Sequence, residues 1–167
     1  MHLKLLTAGL LCLLCVSTKA EANWVFGLNS DLIDETTNLG GYTAIRGVSA
    51  ERWYIELGGL AQRLPRKNQQ NAQTRYFMSV RIGKDMPISP YIGIGINPLQ
   101  LIFDQLINDE ENYRFDMHGQ LGLSLQTTDT LRLDLYGAFY AIDKYQSFRE
   151  VNTQYYHGLG LRLNLLF

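Results

Sequence analysis

GLGLRLNLLF, residues 158–167, ends the chain. Leu159, Leu161, Leu163, Leu165 and Phe167 fall on every second position, with glycines, Arg162 and Asn164 between them. A period of two belongs to a β-strand, whose successive side chains point to opposite faces. One face of this strand is therefore apolar throughout and the other is polar and charged. A soluble strand can alternate in the same way, so the setting is decided by the rest of the chain.

The alternation recurs. It predicts eight strands, at 23–33, 39–49, 52–63, 73–84, 89–98, 113–126, 130–142 and 153–167. In the third, Trp53, Ile55, Leu57, Gly59 and Ala61 share one face, opposite Tyr54, Glu56, Gly58 and Gln62. In the sixth, Tyr113, Phe115, Met117, Gly119, Leu121, Leu123 and Leu125 lie opposite Arg114, Asp116, His118, Gln120, Gly122, Ser124 and Gln126. The second strand is read with Thr43, Ile45 and Gly47 on the apolar face, which turns Arg46 away from it.

Connections after the second, fourth and sixth strands are tight: SAER, KDMPIS and TTDT. Those after the third, fifth and seventh are long and polar: LPRKNQQNAQ, LQLIFDQLINDEEN and DKYQSFREVN; the first, DETTN, is shorter but polar. Residues 99–112 read either as a strand extension or as a short amphipathic helix. Short turns at one end and longer loops at the other are the pattern of an outer-membrane barrel.

The N-terminus agrees. A basic start, the apolar run LLTAGLLCLLCV at 5–16 and small residues after it read as a secretory signal peptide, 1–22, cleaved after Ala20 or Ala22. Both cysteines, Cys12 and Cys15, leave with it, so the mature segment 23–167 has no disulfide to hold it. The fifteen basic residues become thirteen without Lys4 and Lys19, against sixteen acidic ones if Glu21 is kept, a net charge near −3 with no basic stripe for nucleic acid.

With odd-numbered strands rising from the tight-turn end, Trp24, Trp53 and Phe167 sit at the lower edge of the apolar faces, and Tyr76, Tyr113, Phe115, Phe139 and Tyr155 at the upper edge. Two aromatic girdles bounding an apolar band mark the two membrane interfaces.

On these features the chain resembles the small eight-stranded outer-membrane β-barrels of Gram-negative bacteria, the OmpA/OmpX type. The resemblance covers the whole mature segment and is architectural. It implies an all-β, eight-stranded antiparallel up-and-down barrel, integral to the outer membrane and monomeric, meeting lipopolysaccharide in the membrane and the barrel-assembly machinery during biogenesis. It also implies that Phe167, Leu165, Leu163, Leu161 and Leu159 form the assembly signal.

The inner face is rich in charge: Asp31, Arg46, Glu56, Arg75, Arg81, Arg114, Asp116, His118, Arg132, Asp134 and Arg162. The interior of an eight-stranded barrel is just wide enough for side chains to fill. Buried charges must be paired, so a lumen plugged by a polar network is expected, with a narrow channel as an alternative.

Lipid A acylases and deacylases share this architecture, which makes a lipid-modifying enzyme the other alternative. Asp116 and His118, two apart on one face, are the candidate carboxylate and base, and Ser79 and Ser124 are the inward serines. The SPYIGIGI strand is similar to one in the deacylases, but their His-x-Ser pair is replaced here by Phe139-Tyr140-Ala141. No cofactor or metal motif is present: two mature histidines and no cysteine make a poor ligand set. A structural or surface-interaction role is expected, with Arg63, Arg66 and Lys67 placed to meet lipopolysaccharide phosphates.

Overall fold

The computed structural model describes residues 22–33, 35–64, 73–98, 116–147 and 150–167. Eight strands follow in order: β1 Ala22–Ile33, β2 Thr36–Val48, β3 Trp53–Leu64, β4 Gln73–Lys84, β5 Ile88–Ile96, β6 Met117–Gln126, β7 Leu131–Ser147 and β8 Glu150–Leu166. Every strand pairs antiparallel with its neighbour in sequence, and β1 pairs with β8 from Val25↔Leu166 to Ile33↔Gly158, so the sheet closes into a barrel. Closure leaves no open edge along the wall, the one arrangement in which a sheet satisfies its backbone without water.

Alternation in sequence becomes inside and outside. Along β8, Leu159, Leu161, Leu163, Leu165 and Phe167 are exposed, while Arg162 and Asn164 are buried in the lumen. The outer wall is apolar all the way round, with Leu28, Leu121 and Leu159 at 76%, 70% and 72% exposure. Tyr42, Ala44 and Arg46 of β2 point inward and Ile45 outward.

Two connections differ from the sequence expectation. β2 begins at Thr36, so Thr36, Thr37 and Asn38 of DETTN belong to the strand and not to the connection. The run DKYQSFREVN is no long loop: β7 and β8 continue through most of it and pair as far as Ser147↔Glu150. Beyond Ile142 and before Gly158 this pair rises past the ends of β6 and β1, whose described ladders stop at Met117↔Ala141 and Ile33↔Gly158. The loop asymmetry therefore rests on the connections after β3 and β5. Below, the end carrying the 49–52, 85–87 and 127–130 connections is the turn end, and the other is the loop end.

Glu35 and Arg52 adopt left-handed backbone, at φ 64° and 65°. Each lies in a short connection, where reversing the chain within a few residues requires that conformation from a side-chain-bearing residue.

Candidate functional site

The lumen is where this chain concentrates its polar chemistry. Strand register sets the first part of it: Arg46 pairs across to Glu56 and Glu56 to Arg81, which puts the three side by side on β2, β3 and β4, facing inward. Glu56 accepts from Arg46 Nε at 2.7 Å and Nη2 at 2.5 Å, and from Arg81 Nη1 at 2.9 Å and the Tyr42 hydroxyl at 3.0 Å. Arg81 then crosses the lumen, donating from Nη2 to Asp134 of β7 at 2.6 Å. All four charged groups are at most 2% exposed. A buried carboxylate stripped of water is tolerable only with this many donors.

Aromatic rings take the remaining faces of the guanidinium groups. Arg46 lies 4.1 Å over Tyr54, and Arg81 lies 3.9 Å over Tyr91 and 5.3 Å over Tyr42. Arg162 lies between Tyr42 at 4.5 Å and Tyr136 at 4.9 Å, and it donates to Gln120 Oε1 at 3.3 Å. It makes no ion pair among the described residues, although Asp134 is its cross-strand partner. Asp31 is held by hydroxyls instead: Tyr136 donates at 2.5 Å and Tyr140 at 2.7 Å. Tyr136 thus carries the guanidinium of Arg162 on its face and the carboxylate of Asp31 on its hydroxyl. Inward glycines make room for these rings: a Cβ at Gly122 would come within 2.9 Å of the Tyr91 ring, and one at Gly160 would collide with Tyr136.

Toward the loop end apolar side chains enter the lumen beside polar ones such as Asn38 and Gln62. Ile33, Leu60, Leu64, Phe77, Ile142 and Tyr156 are buried there, a layer that the charge-based reading of the inner face missed. Leu60 and Leu64 share the inner face of β3 with Glu56, and no sequence rule separates a lumen leucine from a wall leucine except register. Above this layer Arg75 pairs with Asp116 at 3.1 Å. Arg132 pairs with Asp85 at 2.5 Å at the turn end.

The candidate catalytic pair is not assembled. His118 is buried against Phe77, centroids 5.0 Å apart, and Tyr140, 6.1 Å apart, and neither ring nitrogen has a hydrogen-bond partner among the described residues. Asp116 pairs with Arg75. A general base needs hydrogen-bond reach to a nucleophile and to its orienting group, and His118 has neither among the described residues.

Of the expected girdle, Trp24, Trp53, Tyr76, Phe139, Tyr155 and Phe167 are exposed on the outer wall; Tyr113 and Phe115 lie outside the described residues. Phe26, not singled out from sequence, joins the lower group, stacked on Trp24 at 6.3 Å and edge-on to Phe167 at 6.0 Å. At the upper edge Phe139 stacks on Tyr155 at 5.8 Å. Arg63 is exposed near the loop end of β3; Arg66, Lys67 and Arg114 lie outside the described residues, as do the signal segment 1–21 and residues 99–115.

No protein-family model matches this chain, and no curated protein matches it. Among solved structures it is similar to the crystal structure of Neisserial surface protein A (NspA), at 10% sequence identity over 87% of this chain and 96% of that one, with a TM-score of 0.49. The barrel assignment rests on the chain's own closed strand register.

Proposed function

We propose that this chain is an integral outer-membrane barrel with a structural or surface-interaction role and a lumen plugged by its own side chains. One observation carries the reading: the molecule is inside out for a soluble protein. Its outer wall is apolar on all eight strands, while Arg46, Glu56, Arg81, Asp134 and Arg162 are buried. Monomeric soluble proteins rarely expose apolar patches larger than a few hundred Å², and a belt on every strand, edged by aromatic rings, calls for lipid around it. The signal-like segment 1–22 supports export.

In this reading the loop end faces outward and the 49–52, 85–87 and 127–130 turns face the periplasm. The ion pairs at the turn end and the apolar side chains above them support a plugged lumen and a barrel that serves as a scaffold for its loops. Arg63, with Arg66 and Lys67 in the following connection, meets lipopolysaccharide phosphates.

The test is fractionation of cells expressing the full chain. The protein is expected in the outer-membrane fraction, resistant to urea wash and released by detergent. Recovery in the soluble periplasmic fraction contradicts the proposal. The lipopolysaccharide contact is tested separately: replacing Arg63, Arg66 and Lys67 by Ala should lower lipopolysaccharide co-purification, and unchanged co-purification removes that part alone.

A further inference from the structure

At the turn end, two arginines from well-separated strands converge on a single carboxylate. β2 and β7 have two strands between them on one side of the ring and four on the other. Arg132 Nη2 of β7 donates to Asp85 Oδ1 at 2.5 Å, and Arg46 Nη1 of β2 lies 3.6 Å from the same oxygen. Asp85 belongs to neither strand; it sits in the connection between β4 and β5. Its side chain is 29% exposed, against 6% for Arg132 and 2% for Arg46.

The match is incomplete. Arg132 Nε and Nη1 and Arg46 Nη1 are buried without a hydrogen-bond partner among the described residues. Arg46 has its second carboxylate in Glu56, but Glu56 is shared with Arg81. Unsatisfied buried donors on a cation are costly, and one carboxylate on a turn cannot reach them all. An oxyanion with three or four oxygens would supply the further acceptors these donors lack. Arginine's planar fork suits such a group better than a lysine ammonium would.

We infer that Arg46 and Arg132 form a binding site for a small oxyanion entering at the turn end, and that Asp85 occupies this site in the free protein as an internal competitor. The turn does not depend on that carboxylate for its position, because the Asp85 N–H donates to the Arg52 carbonyl at 2.6 Å. Removing the Asp85 charge therefore uncovers the site without releasing the turn. The inference stands whether the wall of the barrel meets lipid or not.

Calorimetric titration of the refolded full chain in detergent with inorganic phosphate tests it. Asp85→Ala is expected to bind phosphate about tenfold tighter than wild type, and Arg132→Gln added to Asp85→Ala should return binding to the wild-type level or below. Asp85→Asn, close in volume to the native residue, carries the same test should the alanine variant not fold. Equal affinity in wild type and both Asp85 variants overturns the site, and so does tight binding that survives Arg132→Gln.

Discussion

Trp24 and Phe167 exchange both of their backbone hydrogen bonds, Trp24 N–H to the Phe167 carbonyl at 2.9 Å and Phe167 N–H to the Trp24 carbonyl at 3.0 Å. The last residue of the chain is thereby the lower corner of the seam that closes the sheet, and its ring stands edge-on to Phe26. Phe167→Ala keeps both backbone bonds and loses only the ring contact. Urea unfolding of the refolded variant should show a loss of about 0.5–1.5 kcal/mol, while the amount assembled in cells falls several-fold if the terminal aromatic is an assembly signal. A fall in cells no larger than the loss of stability accounts for would remove that role.

The arginines of the lumen are not equivalent. Glu56 accepts from Arg46, Arg81 and Tyr42, so Glu56→Gln leaves two buried guanidinium groups short of their counter-charge and should cost about 3–5 kcal/mol. Arg162 has aromatic faces and Gln120 but no ion pair among the described residues. Arg162→Met should be close to neutral, within about 1 kcal/mol, because replacing a buried charge by an apolar side chain of similar volume removes its desolvation cost. Equal losses in the two variants, measured by equilibrium unfolding, would contradict this difference.

Glycines on the two faces should respond oppositely to the same change. Gly122 faces the lumen, where a Cβ would meet Tyr136 Cβ at 2.6 Å and Tyr91 Cζ at 2.9 Å; at outward Gly119 a Cβ meets nothing within 4 Å. Gly122→Ala should destabilise by about 1–3 kcal/mol through overpacking, and Gly119→Ala should be neutral or slightly stabilising by restricting the unfolded chain. Thermal unfolding of both in one detergent decides the matter.

In planar-bilayer recordings the purified wild-type protein should be silent. Arg81 spans the lumen to Asp134, and Leu60, Phe77 and Tyr156 are buried above it. Reproducible conductance steps that disappear on heat denaturation would overturn the plugged lumen.

Much of this architecture is legible in the sequence because a period of two is a direct image of a wall with two solvents. The eight strands and the outward Leu159 to Phe167 follow from alternation; the inward Arg46 follows from choosing, of the two possible faces of β2, the one that turns its charge away from the apolar side. The missed strand ends have a physical cause. Thr36, Thr37 and Asn38 look like turn residues, yet pairing with Ile33, Leu32 and Asp31 carries them into β2. The upper parts of β7 and β8 lie beyond the apolar belt, where alternation has nothing to select it, but their backbone ladder continues to Ser147↔Glu150. Within the lumen, register on adjacent strands predicts the row Arg46, Glu56, Arg81. The contact from Arg81 to Asp134 crosses the barrel and leaves no periodic trace in a single strand, whereas Leu60 and Phe77 share the parity of Glu56 and Arg81 and escape a reading that picks out the inner face by charge and not by parity.

The claim that the apolar belt faces lipid is tested most directly by the chain's only two tryptophans, Trp24 and Trp53. Both are about half exposed on the outer wall, at 53% and 49%, near the turn end. In vesicles of brominated phosphatidylcholine their fluorescence should be quenched strongly by bromine near the glycerol end of the acyl chain and less by bromine near the methyl end, as girdle residues at an interface require. Fluorescence unchanged by bromine at either depth, from a folded protein, would contradict the account.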